Sequence, residues 1–388
     1  MWLEAPSAKD FTSSDASSSL LSEPESRLTL QMVYKLGNTL LLRIQGSCDF
    51  PVDNDGHVHA EIIKVFEPTT LSPVMEVLID NRDESGMKSK VILKLYDRRF
   101  NPSLRKDFKT PSWNAGRERI LEQAVVHEPK WVAQRGSHFD EDKDETEDNE
   151  DGQDEDNNDE EESPDVDWDI AEDEAWLHFD CLKLCDNETT VYNRLQALQG
   201  TDVPKLLDSI RIAMDKPKEP VPPEHMHYFE VPGIILEHID GFNLEVLQDR
   251  VPRERWPEIC EKAIRIVNRV SDHDIKNKDV RPENFLVCST TLRGWTMYEV
   301  VQIDFALCHF QFDGQTDDDW AEEKFHQDEE GAIGVVMQDR LKRLAGGGFT
   351  YTSSNKYDGP WAYDETWGLS PEQIEELGLC RNVQEDHE

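Results

Sequence analysis

Asp279 lies five residues before Asn284 in the stretch Asn277-Lys278-Asp279-Val280-Arg281-Pro282-Glu283-Asn284-Phe285-Leu286-Val287, and Asp304 follows twenty residues later in Ile303-Asp304-Phe305-Ala306. Asn284 and Asp304 are hard oxygen ligands of the kind magnesium takes. Magnesium bridges phosphates and neutralises the charge that develops when a phosphoryl group moves. Asp279 can orient a hydroxyl or accept its proton. An Asp-x-x-x-x-Asn spacing alone also occurs in ordinary polar turns. Its meaning therefore depends on the elements that position it.

Those elements are legible by period. Thr39 to Ile44, Ala60 to Phe66, Val74 to Ile79 and Lys90 to Tyr96 are runs of strand formers separated by turns, the pattern of an antiparallel meander. Lys94 stands in the last run between Leu93 and Leu95, where a lysine on a half-buried strand also reads as a solvated edge residue. Trp168 to Leu198 carries a helical pattern in which Glu188, Tyr192 and Leu195 are spaced i, i+4, i+7. Another helix covers Arg117 to Val126. Between Gly233 and Phe242 an apolar strand breaks into Glu237-His238-Ile239-Asp240-Gly241. Arg253 to Asp272 is a helix with Ile259, Ala263, Ile266, Val267 and Val270 on one face, and it delivers the chain to the loop of Asp279. Phe285-Leu286-Val287 reads as a strand, and Asp304 is expected on another.

Taken together, Lys94 in Val91-Ile92-Leu93-Lys94, Glu188 on its helix, the Glu237 strand, Asp279 with Asn284, and Asp304 with Phe305 stand in the order of the protein-kinase superfamily motifs. The chain resembles that superfamily over roughly residues 30 to 340, and looks closest to fungal protein-kinase-like proteins that lack the glycine-rich loop. Asn277 stands where the family usually has His, Ala306 where it has Gly, Thr69-Thr70-Leu71-Ser72 where the glycine loop would lie, and no Ala-Pro-Glu segment follows Ala306. The resemblance implies an α+β, two-lobed kinase-like fold, with a small antiparallel-sheet N-lobe, a mainly helical, truncated C-lobe and a disordered acidic insertion. It implies ATP and Mg2+ as cofactors. Lys94, paired with Glu188, would grip phosphates, with Ser72 beside them. The backbones of Glu237 and Ile239 would meet adenine, and Asn243 the ribose. Asn284 and Asp304 would hold the metal, Asp279 would take the hydroxyl, and Arg281 would lie near the transferred group. Asp328 to Met337 resembles the buried helix that anchors the catalytic loop.

The expected activity is phosphoryl transfer from MgATP to a hydroxyl, of protein Ser or Thr by the resemblance. Two alternatives stand beside it. One is a non-catalytic kinase-fold scaffold that holds basic proteins through its acidic insertion. The other is a small-molecule kinase resembling aminoglycoside phosphotransferases, which also do without the Ala-Pro-Glu segment.

The totals narrow the partners. Lys and Arg number 41 against 82 Asp and Glu. Residues 140–174 hold 22 acids and one lysine, about half of the formal net charge of -41. Such a charge opposes general attraction to nucleic acid or anionic membrane. No apolar run approaches the roughly 20 residues of a membrane-spanning helix. Charge and hydropathy thus lead to no nucleic-acid and no membrane partner being expected; the partners expected are a protein substrate, as the resemblance implies, or a basic protein held by the acidic insertion. Seven scattered cysteines and no leader pattern point to reduced thiols in cytosol or nucleus. Cys181 and Cys185 read as one helix face. The expected organisation is a disordered tail over 1–27, an N-lobe over 28–233 with a segment 101–175 inserted, acidic and disordered over 140–165, a C-lobe over 234–345, and a tail over 346–388. That tail holds a short helix starting at Ser370, with Pro371 at its first position.

Overall fold

The computed structural model describes residues 33–46, 50–80, 87–127, 167–214 and 220–359. The 1–27 tail, the acidic 140–165 stretch and the Ser370 helix lie outside them. The described chain is mixed α and β, with an antiparallel sheet in its first half and helices packed on that sheet and beyond it.

The four expected strands form as β1 (Thr39–Ile44), β2 (His57–Val65), β3 (Val74–Asp80) and β4 (Lys88–Leu95). Alternation sets their faces. On β3, Met75, Val77 and Ile79 point into a core that also holds Leu42, Val58, Ile62, Leu93, Leu95 and Ile235. These four strands pair in sequence order as the expected antiparallel meander, and the sheet then goes on to close. Leu206 to Ala213, a segment not assigned from the sequence, forms β5, and with β6 (Glu230–Glu237) it completes a closed barrel in the order β1-β2-β3-β4-β6-β5. Closure is made by Arg43 opposite Arg211 and Ile44 opposite Ile210. Closing the ring removes the edges an open sheet would expose.

Between β4 and β5 run α1 (Pro102–Asp107), α2 (Ala115–His127) and α3 (Trp168–Arg194). α3 starts where Asp167 accepts a hydrogen bond from the Ile170 N–H. Its buried stripe runs through Ala171, Glu174, Ala175, His178, Cys181, Cys185, Glu188 and Tyr192. Two of these are acids with no exposed surface, which requires counter-charges. Glu174 receives Arg98 at 2.7 Å, Arg105 at 2.9 Å and Arg117 at 2.6 Å. This network ties α1 and α2 to α3.

Beyond β6 come β7 (Phe242–Asn243), α4 (Leu247–Arg250), α5 (Trp256–Ser271), β8 (Ile275–Asn277), β9 (Phe285–Leu292), β10 (Trp295–Gln302), β11 (Cys308–Phe310), α6 (Asp317–Gln327) and α7 (Gly331–Ala345). Among the described residues this part carries four α-helices and five strands. The β9–β10 hairpin joins β7, and β11 pairs with β8. The apolar face of α5 packs with Phe285, Val287, Ile333, Met337 and Leu341 in a second core, which also takes in Tyr192 and Tyr96. Phe349 closes over it from the chain after α7. Among the described residues no helix is long and apolar enough to cross a membrane.

Candidate active site

Period two along β4 puts Leu93 and Leu95 inside the barrel and Lys94 and Tyr96 on the opposite face, under α3. Lys94 is therefore not an edge residue, because the helix covers it. Its Nζ lies 2.6 Å from Glu188 Oε2 and 2.7 Å from Asp304 Oδ1. Burial alone would push the Lys94 ammonium down, but the carboxylates of Asp304 and Glu188 outweigh it and hold the ammonium above its ordinary value. Tyr96 donates its hydroxyl hydrogen to Glu188 Oε2, and Glu188 Oε1 accepts from the Phe305 N–H at 3.3 Å.

Asp304 is not on a strand. It lies just past the end of β10, at φ +67°, a left-handed conformation few non-glycine residues adopt. The turn re-aims its carboxylate toward Lys94. Ile303 N–H donates to Asn284 O at 2.8 Å, which fixes the spacing of the two expected metal ligands along the backbone. Asn284 donates to the Asp279 carbonyl at 2.8 Å and to Asp279 Oδ2 at 2.9 Å. Both bonds leave from Nδ2, so the amide oxygen keeps its lone pairs for another ligand. Arg281 reaches the same Asp279 Oδ2 at 3.1 Å.

The two aspartates are pushed apart. Burial lifts the Asp279 carboxyl, against the Asn284 hydrogen bond and Arg281, and Asp304 adds to the rise. Burial would lift Asp304 too, but Lys94 outweighs it and holds that carboxyl below its usual value. One group is thus suited to exchange a proton and the other to stay anionic and bind a cation. The local charges are Lys94 and Arg281 against Glu188, Asp304 and Asp279, so one carboxylate is left unbalanced. That net negative charge favours a bound cation. Among the described residues no three His, Cys, Asp or Glu form a metal cage.

The loop of Asp279 is held from below. Glu329 accepts from the Asn277 N–H at 2.6 Å, and the Asn277 side-chain oxygen accepts from the Asp279 N–H at 2.8 Å. Lys324 is fully buried and donates to Glu329 and to the Ile275 carbonyl. The anchor is Glu329, which precedes α7 in the Asp328–Met337 stretch.

The other expected site residues lie in the loop before β3, at the end of β6 and in the chain that follows it. Ser72 is buried, in a loop whose carbonyls are taken up: Leu71 O by Asn101 Nδ2 at 2.7 Å and Thr70 O by the Ser103 N–H at 3.3 Å. The Glu237 N–H donates to Lys205 O at 2.9 Å. Ile239 follows β6 in a half-buried stretch without regular structure. Asn243 donates from its side chain to Glu283 O at 2.6 Å, tying β7 to the turn before Asn284. Reading Asn243 as a ribose ligand missed that partner, because Glu283 lies 40 residues away.

No protein-family model and no curated protein matches the sequence. Among solved structures, the chain is similar to a Rio2 kinase-ADP/Mg2+-phosphoaspartate complex from Chaetomium thermophilum, at 13% identity and TM-score 0.37, covering 82% of this chain and 67% of that one. It is also similar to WaaP in complex with acyl carrier protein, at 17% identity and TM-score 0.27, covering 42% of this chain and 65% of that one.

Sequence reasoning passed over Tyr96, Asn187 and Glu329. Tyr96 carried a signal, since period two from Lys94 places it on the same strand face. Asn187 carried none, because the carbonyls it touches are distant in the chain, whereas Glu329 lies in the Asp328–Met337 stretch whose resemblance implied an anchor for the loop.

Proposed function

We propose that the chain is a protein-kinase-like, ATP-dependent phosphotransferase, with the barrel as its N-lobe and the α5–α7 region as its C-lobe. The observation that carries this is Lys94 held between Glu188 and Asp304, with Asp279 and Asn284 joined beside them. When bound, Mg2+ would supply positive charge that neutralises the charge developing in the transition state. Asp304 and Asn284 would hold that ion. Lys94, released from Asp304 but kept by Glu188, would contact phosphate oxygens. Asp279 would take the proton of an acceptor hydroxyl, with Asn284 and Arg281 fixing the orientation of its carboxylate. The acceptor is proposed as a Ser or Thr of a basic protein, in keeping with the acidic charge of the chain.

The test is thermal unfolding with and without MgATP, followed by transfer of labelled phosphate to basic protein substrates. Ligand at about 100 times its Kd should stabilise the fold by about 2.7 kcal/mol. Asp304→Ala should abolish the metal-dependent part. Asp279→Ala should leave nucleotide binding in place and remove transfer, and unchanged labelling would refute catalysis.

One observation favours a non-catalytic scaffold as the second reading. The Thr69–Ser72 loop is tied to Asn101 and Ser103, so it has less freedom to fold over phosphates than a glycine loop. Absence of any thermal shift with MgATP, together with capture of basic proteins, would select that reading.

A further inference from the structure

Asn187 precedes Glu188 on α3, and its side-chain amide spans the turn after Asp304. Nδ2 donates to the Ala306 carbonyl at 2.8 Å and to the Cys308 carbonyl at 2.6 Å. The same helix grips the residue between Asp304 and Ala306: Glu188 Oε1 accepts the Phe305 N–H, and the Phe305 ring meets Tyr192 edge-on at 5.4 Å. α3 therefore holds Phe305, Ala306 and Cys308 with three side chains. Asp304 stands at the start of this turn in a left-handed conformation, which persists where the surroundings over-determine it. Cys308 in turn faces Asn277 across the β8–β11 ladder, two residues from Asp279.

A primary amide suits this place. It offers two N–H donors, and two carbonyl oxygens lie within reach. An aspartate there would set a negative charge against those carbonyls. An alanine would leave both without the partner they have now.

We propose that Asn187 is a positioning residue for the metal-binding aspartate: by clamping the Ala306 and Cys308 carbonyls to α3, it fixes the turn that aims Asp304. This rests on the phosphotransferase reading. On this assignment the seat of α3 and the metal affinity of the site are coupled, because Asn187 and Glu188 are neighbours on one helix. Glu188 holds the lysine and Asn187 holds the aspartate's turn.

The experiment uses the full chain with Asn187→Ala and Asn187→Asp, two variants so that misfolding of one leaves the other to report. The first readout needs no ligand: backbone hydrogen exchange over residues 303–308, expected to speed up in both variants while the barrel strands keep their protection. The second is a Mg2+ titration of the thermal shift at fixed ADP. The half-saturating metal concentration should rise on the order of tenfold, in line with the loss of one or two hydrogen bonds, while ADP binding without metal is unchanged. Unaltered exchange over 303–308 would overturn the assignment. So would equal weakening of metal-free and metal-loaded ADP binding, which would mark a merely structural side chain. Absence of metal-dependent ADP binding in the wild type would instead sink the phosphotransferase reading and this inference with it.

Discussion

Replacing Lys94 by methionine keeps much of the side-chain length and removes the charge. Lys94 and Glu188 have 5% and 0% of their side chains exposed, and Asp304 has 32%. At the observed separations of 2.6 and 2.7 Å, each contact is worth ~6 kcal/mol of Coulomb energy with an effective dielectric constant of about 20. Desolvation of the three ions offsets most of this, at several kcal/mol per ion. Without the lysine that desolvation remains and the attraction is gone, leaving two carboxylates in a buried site. Breaking a buried pair from one side costs about 3–5 kcal/mol. Urea unfolding followed by far-ultraviolet circular dichroism should therefore show Lys94→Met less stable than wild type by about that amount. Glu188→Gln in the same background should recover part of the loss, because one of the stranded charges is removed. The two substitutions should then be less damaging together than the sum of each alone. A Lys94→Met protein within about 1 kcal/mol of wild type would refute the placement of Lys94 between the two acids.

Two further outcomes follow from groups outside the site. Glu174→Gln leaves Arg98, Arg105 and Arg117 without the carboxylate they share, and should destabilise the chain by about 3–5 kcal/mol in the same urea assay. A change under about 1 kcal/mol would show that Glu118 for Arg98, Asp173 for Arg117 and the Arg98 and Pro111 carbonyls for Arg105 suffice. His178 is buried 3.0 Å from His227, and burial, then His227, Arg98 and Arg211, hold its pKa well below the ordinary 6.5. A base with a depressed folded pKa takes up protons first in the unfolded chain. Its share of stability is thus fully present above about pH 6.5 and is lost as pH falls below that value toward the folded pKa, by up to about 1.4 kcal/mol per pH unit. Between pH 7.5 and 5.5 the wild type should lose more unfolding free energy than His178→Gln. Equal slopes would exclude His178 as the source.

The elements of this protein are largely legible in its sequence. The apolar face of α5 and the alternation on β3 follow from backbone repeats of 3.6 and 2 residues, which act over neighbouring positions only. The order of Lys94, Glu188, Asp279, Asn284 and Asp304 is also visible there. Where local signals conflict, the reading fails. β5 lies between Pro204 and a Pro-rich stretch, and its strand state is set by partners on both sides, β1 and β6. Asp304 sits next to a strand, yet takes a turn conformation that only its surroundings impose.

The sequence by itself determined β1 to β4, β6, α2, α3 and α5, and the order in which the reactive side chains stand along the chain. Tertiary structure alone decided which of them meet. Lys94 touches one acid 94 residues away and another 210 residues away. Glu174 draws three arginines, the Asn187 amide crosses to two distant carbonyls, and Asn243 bonds Glu283. The physical reason is that a backbone period is local, whereas the energy of a buried charge depends on what replaces its water. That replacement comes from whichever segments the closed barrel and α3 bring alongside.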